Sequence, residues 1–344
     1  MNADENAADA LTPEVSQQVD PTRARVVQEF QQTRAPGYCH FDNAGRLLFV
    51  GSEDNTIQQW NLATGECNAL NGHSSWVRGF AVPRSGETFV SSGYDGDLIW
   101  WVRDSSLPHV ANRIHAHKGW IRSCAISPDG RLLASGGNDR IVRLWSMSDR
   151  TLVAEAAGHQ HDICSLAFHP EGNHLVSSDS HGVVKVWGDP NWQLTRELDA
   201  SSTYFYSKSN RGVSGGLRSL AFSSDGRLLI GAGVVGGGDP LGQAVNPGAI
   251  VFDWTSGEKK TLLRARGNEL GVAWGMICHP TDNFVAAVSG GLSAKHLYFW
   301  KTSDEQPFHV VDLPSPGRCI ALHPDGWRLS VALHDGKIQI YLLG

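Results

Sequence analysis

A chain of 344 residues, 41% hydrophobic and 19% charged, has the make-up of a folded globular protein. It offers no run of about 18 apolar residues that could cross a bilayer as a helix. Its 38 glycines and 12 tryptophans favour a turn-rich β fold, because tight turns need positive φ. The net charge of −6 is uneven: residues 1–22 hold five acidic residues and no basic one, which leaves the rest near −1. So small a charge gives little long-range attraction for nucleic acid.

Residues 1–23 read as an acidic, disordered tail, poor in aromatics, without the apolar stretch of a secretory signal. A cytoplasmic protein that does not engage membranes is expected. The cysteines Cys39, Cys67, Cys124, Cys164, Cys278 and Cys319 form no CxxC pair and are expected to be buried, reduced thiols. Clustered zinc ligands are absent from the sequence, so neither a metal nor another cofactor is expected.

From residue 24 the chain is periodic. "ARVVQEFQQT" comes first and has no repeat of its own. Seven aromatics then each close a strand: Trp60, Trp101, Trp145, Trp187, Trp254, Trp300 and Tyr341, at steps of 41, 44, 42, 67, 46 and 41 residues. A period of about 40–45 residues is the mark of a β-propeller. The third repeat shows the unit: "IRSCAIS", a "PDG" turn, "RLLASGG", an "ND" turn, "IVRLWS" and "TLVAEAAG", four strands from the centre (a) to the rim (d). The blades are expected over residues 36–70, 71–114, 115–157, 158–198, 199–264, 265–313 and 314–344. The last repeat stops at "KIQIYLLG", one strand short. Residues 24–34 are therefore expected to supply its rim strand. The fold class is then all-β: a seven-bladed β-propeller of four-stranded antiparallel blades closed by its N-terminal strand, with residues 24–344 forming one domain.

The segments "GHSSWV…SGYDGDLIWW", "AHKGWI…SGGNDRIVRLW" and "GHQHDI…SDSHGVVKVW" resemble the WD-repeat β-propeller family, and the pattern covers residues 24–344. The resemblance implies a structural tetrad of His, Ser, Asp and Trp in each regular blade. Here it maps onto His73, Ser91, Asp95 and Trp101, and onto His117, Ser135, Asp139 and Trp145. A buried indole brings a large apolar area, but its N–H needs a partner, and a fixed chain of donors and acceptors supplies one. The fourth repeat has His159, Ser177 and Trp187, with His181 where the Asp is expected. The first and last keep only Asp54 with Trp60 and Asp335 with Tyr341. Gly248 and Ala294 stand at the Asp position of the fifth and sixth, which should be looser or rely on other contacts.

Other motifs carry less chemistry. "GAGVVG", residues 231–236, matches G-x-G-x-x-G, but no helix can follow it to hold a pyrophosphate; it reads as a flexible loop. His115-x-His117 and His159-x-His161 resemble metal pairs, yet His117 and His159 belong to tetrads. No nucleophile–base set or carboxylate pair stands out, and the chain is expected not to be an enzyme.

The start of strand a is more informative. Aligned on the following turn, one position reads Gly37, Arg78, Arg122, Cys164, Arg218, Trp274 and Arg318. Two residues earlier come Ala35, Trp76, Trp120, Asp162, Gly216, Val272 and Pro316. Strand residues two apart share a face, so Arg78, Arg122, Arg218 and Arg318 with Trp76, Trp120 and Trp274 should ring the channel mouth. Asp162 joins them. Two insertions, residues 199–216 and 233–248, should emerge on that same face. The first brings Tyr204, Phe205, Tyr206 and Arg211 as a lid or side wall.

Arg and Trp dominate interfaces, and guanidinium forks match oxyanions. The expected function is a non-catalytic scaffold that binds a protein or peptide, acidic or phosphorylated, on the top face, and it could serve as one subunit of a larger complex. Single-stranded nucleic acid stacked on the same aromatics is the alternative, disfavoured by the charge. A propeller enzyme would need carboxylates or His converging on the channel, which the aligned positions lack.

Overall fold

The computed structural model describes residues 19–84, 87–103, 107–207, 212–235, 246–267, 269–281 and 284–344, with side chains for all of these except 205–207 and 212–214. The acidic stretch at residues 1–18, Arg211 and residues 236–245 lie outside the described residues. Among those described, no helix is long and apolar enough to cross a membrane.

Each of the first six repeats folds as three consecutive antiparallel pairings, because short apolar strands are separated by turns that reverse the chain; the seventh makes two. The a strands are Pro36–Phe41, Val77–Ala81, Ile121–Ile126, Ile163–Phe168, Leu217–Phe222, Val272–Cys278 and Gly317–Leu322. Each contacts the next, and the last contacts the first, so seven blades close into a ring. Strand b sits between a and c with neighbouring blades on both faces. It therefore reads as a nearly continuous buried run, as in Leu132–Gly137. Strand d lies at the rim and is mostly exposed, as in Leu152–Ala157. The core lies between blades: Ile230, Val251, Met276, Val285, Tyr298 and Trp300 form one cluster across the fifth and sixth.

The ring is closed by Arg25–Gln31, which pairs antiparallel with Lys337–Leu342, from Arg25 opposite Leu342 to Gln31 opposite Lys337. This gives the seventh sheet its fourth strand and leaves no unpaired c strand at the seam. Glu29 accepts hydrogen bonds from Lys337 Nζ at 3.0 Å and Gln339 Nε2 at 2.9 Å. Phe30 stacks on Trp60 of the first blade, 4.8 Å between ring centres.

The bottom face has its own fastening. His169, His279 and His323 end their a strands and donate from Nε2 to the carbonyls of Gly226, Gly326 and Gly45 in the next blade's turn, at 3.1, 2.8 and 2.8 Å. Gly226 has φ +70°, and a Cβ there would come within 2.7 Å of the His169 ring. Both the turn and the close approach therefore require glycine.

Several sequence expectations change. In the fifth blade the strand-c aromatic is Phe252, which lies opposite Leu229 as Trp145 lies opposite Leu133. Trp254 falls beyond the strand, stacked on His169 at 5.0 Å under the Arg196 guanidinium. The first insertion, read from the sequence as a lid or side wall, contains a two-stranded hairpin of Tyr204–Ser207 and Gly212–Gly215. The second lengthens strands b and c of the fifth blade to eight residues each, Leu228–Val235 and Asn246–Asp253. Residues 231–235 of the glycine motif are thus paired strand rather than loop, because the extended strand c opposite supplies their ladder. All six cysteines are free, but Cys67 is exposed, since it starts a rim strand.

Candidate functional site at the channel mouth

Every a strand carries a one-residue shift in its pairing with strand b, and the residue left unpaired is Gly37, Arg78, Arg122, Cys164, Arg218, Trp274 or Arg318. These are the seven positions that the sequence alignment placed in register. A bulge inserts an extra residue and re-aims its side chain. Here it turns a side chain toward the mouth of the central channel in six blades, the first blade having Gly37 at that position. Arg78, Arg122, Arg218, Arg318, Trp274 and Trp76 line one cavity of about 320 Å³.

A second ring comes from the turns between strands b and c. The backbone N–H groups of Glu53, Tyr94, Asn138, Ser180 and His334 donate to the carbonyls of Ala35, Trp76, Trp120, Asp162 and Pro316, the residues two before each bulge. That bond fixes each turn residue beside a bulge residue. Arg122 Nε donates to Asn138 Oδ1 at 2.7 Å, and its Nη2 meets Asp162 at 3.2 Å. Arg318 donates to His334 Nδ1 at 2.7 Å and lies 3.6 Å from Glu53. Arg78 Nη1 donates to the Gly37 carbonyl at 2.8 Å. A Cβ on Gly37 would sit 2.8 Å from the Val77 carbonyl oxygen and 3.3 Å from Arg78 Cδ, so glycine makes room for the guanidinium of the next blade. Burial lowers the Arg318 pKa from its ordinary value; Glu53 opposes this and the like charge of Arg78 adds to it.

Trp76 and Trp120 are 41% and 42% exposed. Tyr94, which sequence reasoning missed, lies between them, 5.8 Å from Trp76 and 4.2 Å from Trp120 with nearly parallel rings. The signal was its place in the "SGYDG" turn, directly beside the two tryptophans once the turn is docked on strand a. Arg122 covers Trp120 at 5.2 Å. Tyr204 opens the inserted hairpin and stacks on His181, which stacks on His161 at 3.3 Å. The side chains of Phe205 and Tyr206 lie outside the description, as does Arg211. The hairpin sits against strand b of the fifth blade.

The tetrads hold these turns in place. His73 Nδ1 is 2.9 Å from Asp95 and its Nε2 2.7 Å from Ser91, whose Oγ accepts from Trp101 Nε1 at 2.8 Å. His117, Ser135, Asp139 and Trp145 repeat this at 2.8, 2.7 and 2.9 Å. In the fourth blade His159 and Trp187 meet Ser177 at 2.6 and 2.8 Å, and the carboxylate is Asp179, 3.0 Å from His159. The expectation of a missing acid is thus corrected: Asp179 ends strand b and reaches the same space from two residues earlier than His181. Burial alone would raise the Asp95, Asp139 and Asp179 carboxyls. Their hydrogen bonds to His73, His117 and His159 nonetheless hold each below its ordinary value. Of the paired histidines, His115 bonds Asp97 at 2.9 Å, and no three His, Cys, Asp or Glu among the described residues converge as metal ligands would.

Where the tetrad is lacking, the serine's register position in strand b is apolar: Val50, Gly231, Ala287 and Val331. Trp300 Nε1 turns instead to the Arg264 carbonyl at 3.1 Å, and Trp60 Nε1 is buried without a partner.

Comparison with known proteins agrees with this geometry. The family described as "WD domain, G-beta repeat" matches residues 35–61, 65–101, 109–146 and 150–188. The chain is 32% identical over 83 residues to the apoptotic protease-activating factor 1 of Danio rerio, covering 24% of this chain and 7% of that protein. It is 44% identical over 50 residues to the Lissencephaly-1 homolog of Caenorhabditis briggsae, 14% and 13% of the two chains. It is 36% identical over 58 residues to the DDB1- and CUL4-associated factor 10 of Xenopus laevis, 16% and 13%. Each match thus spans well under a fifth of the curated relative.

Proposed function

Because this chain is a WD-repeat β-propeller, we propose that it is a non-catalytic protein-interaction scaffold. Its ligand is an acidic or phosphorylated peptide segment or partner protein, bound where Arg78, Arg122, Arg218 and Arg318 gather with Trp76, Trp120 and Trp274. The observation that carries this reading is the bulge repeated in all seven a strands at those positions. A bulge interrupts the ladder and leaves a residue unpaired, and four of the seven positions it sets free are arginines. The exposed indoles of Trp76 and Trp120 supply the aromatic anchors of an interface.

One relative's name associates it with DDB1 and CUL4, and a place as one subunit of a larger assembly fits the present chain equally. The hairpin at Tyr204–Ser207 and Gly212–Gly215 is read as a side wall extending the mouth over the fourth and fifth blades.

The test compares the wild type with the triple variant Arg78→Ala, Arg122→Ala, Arg318→Ala in affinity purification, followed by direct binding of the partner identified. The folded variant should lose that partner; retained binding would remove the mouth as the site. The three-ring stack of Trp76, Tyr94 and Trp120 also suits stacking of unpaired bases, the second reading. A steep salt dependence of binding to a single-stranded homopolymer would favour it.

A further inference from the structure

The four guanidiniums at the mouth are not equivalent. Arg122 and Arg318 already face carboxylates, Asp162 at 3.2 Å and Glu53 at 3.6 Å. No ion pair holds Arg78 or Arg218 among the described residues. Arg78 Nη1 donates to a neutral carbonyl and Arg218 Nη1 to the Cys164 thiol at 3.4 Å. The Nε of each is buried and has no hydrogen-bond partner. Each guanidinium rests near an aromatic ring that limits its freedom, Arg78 by Tyr94 at 5.7 Å and Arg218 by Trp274 at 5.6 Å. Both line the same 320 Å³ cavity, to which Glu53 contributes the single acidic side chain.

Charge and hydrogen bonding then specify a ligand. Four guanidiniums against the two carboxylates Asp162 and Glu53 leave two positive charges. Partly buried cations without a counter-charge are costly, and an N–H without an acceptor adds to that cost. One phosphomonoester matches the charge deficit: it carries about −1.5 to −2 charges at neutral pH, and its three acceptor oxygens can take up guanidinium N–H groups that face the cavity. A carboxylate would leave one charge unbalanced. A larger polyanion would have to displace Asp162 and Glu53 from their arginines.

We propose that Arg78 and Arg218 form the seat for one phosphomonoester, carried on the tip of a partner side chain that enters the channel mouth. Arg122 and Arg318, held by their carboxylates, flank it. This rests on the mouth being the partner-binding face. The seat draws on the second and fifth blades, so a phosphate there bridges distant parts of the ring.

The test uses the full chain and three small probes: N-acetyl-phosphoserine amide, its unphosphorylated form, and inorganic phosphate. Binding is followed by calorimetry and by tryptophan fluorescence, which Trp274 should report. The phosphoserine amide should bind saturably at one equivalent and the serine amide not at all. The double variant Arg78→Gln, Arg218→Gln should bind at least tenfold more weakly. Arg131→Gln, on an exposed bottom turn with a side chain 86% accessible, should bind like the wild type. If the double variant does not fold, Arg218→Lys alone should weaken binding severalfold, since it keeps the charge and loses the fork. Absence of binding to the folded wild type, or equal binding by the double variant, overturns the seat. Equal affinity for inorganic phosphate overturns the side-chain origin. Partner capture that survives the double variant but not Trp76→Ala, Trp120→Ala overturns the seat and leaves the mouth as the site. Saturable phosphoserine binding with no partner held at the mouth has the opposite meaning.

Discussion

Blades three and six bury the same residue type at the same strand position and satisfy it differently. Trp145 gives its N–H to Ser135, which is held by His117 and Asp139. Trp300, fully buried, gives its N–H to a backbone carbonyl, and Ala287 stands where the serine would be. Around it, Tyr298 and His296 converge on Glu269, with His296 Nδ1 at 2.9 Å, while Ile230, Val251, Met276 and Val285 fill the junction. The blade geometry therefore does not depend on the tetrad. A tetrad ties the turn before strand a to strands b and c through directional bonds; the sixth blade is held mainly by apolar burial, which is larger but non-directional. That difference also sorts the top face. Tetrads occur in blades two to four, which carry Trp76, Tyr94 and Trp120, so the exposed aromatic stack stands on the most rigidly tied turns.

The largest expected effect tests whether the seam blade, assembled from both chain ends, is the weakest. Removing residues 1–34 strips Arg25–Gln31 from Lys337–Leu342 and should lower the melting temperature more than any single substitution. Removing residues 1–22 should barely change it. Equal small effects would mean that the ring holds without its closing strand.

Next come the two designs themselves. Trp300→Ala should cost roughly 3–5 kcal/mol as a fully buried aromatic truncated in an apolar junction. Ser177→Ala should cost roughly 1–3 kcal/mol, because it orphans the Trp187 N–H and His159 Nε2 together. Denaturant unfolding of both would erase the distinction if the serine proved the costlier loss.

Acid should separate the designs further. Burial lowers the His117 pKa. For a group so shifted, the unfolded chain binds the proton first, so stability is full above about pH 6.5 and declines as pH falls below it. Asp139 would be raised by burial, but its bonds to His117 and Arg143 hold it well below its ordinary value. Its contribution is present above about pH 4 and is lost as pH falls through the folded value. The melting temperature should therefore drop in two stages, and Asp139→Asn should shrink the lower one, to which Asp95 and Asp179 also contribute. An unchanged lower stage would show that this pair does not contribute to it.

The smallest effect is expected for His181→Ala, within about 0.5 kcal/mol, since Asp179 and not His181 completes the fourth tetrad. A loss matching that of Ser177→Ala would reverse this assignment.

The regular blades were legible because their register is carried by side chains of distinct chemistry. Trp101, Trp145 and Trp187 each follow their serine by ten residues. Trp254 misled because a tryptophan one residue past a strand has the same local sequence context as one within it. Only the pairing of Leu229 with Phe252 separates the two. Asp179 was missed for a related reason: a carboxylate can reach one point from either of two backbone positions. Tyr94 and Glu53 were missed because a turn residue's neighbours across strand a are set by docking.

The sequence by itself determined the repeat, the blade count, the closing strand and the seven positions at the mouth, because each is written as a period or as a missing strand. Tertiary structure alone decided that those positions are bulged, which arginines face a carboxylate and which tryptophans find an acceptor. Bulges, ion pairs and orphaned N–H groups depend on which backbone atoms approach from the neighbouring blade. Periodicity fixes a residue's own strand, and it carries no information about the atoms that arrive from the next one.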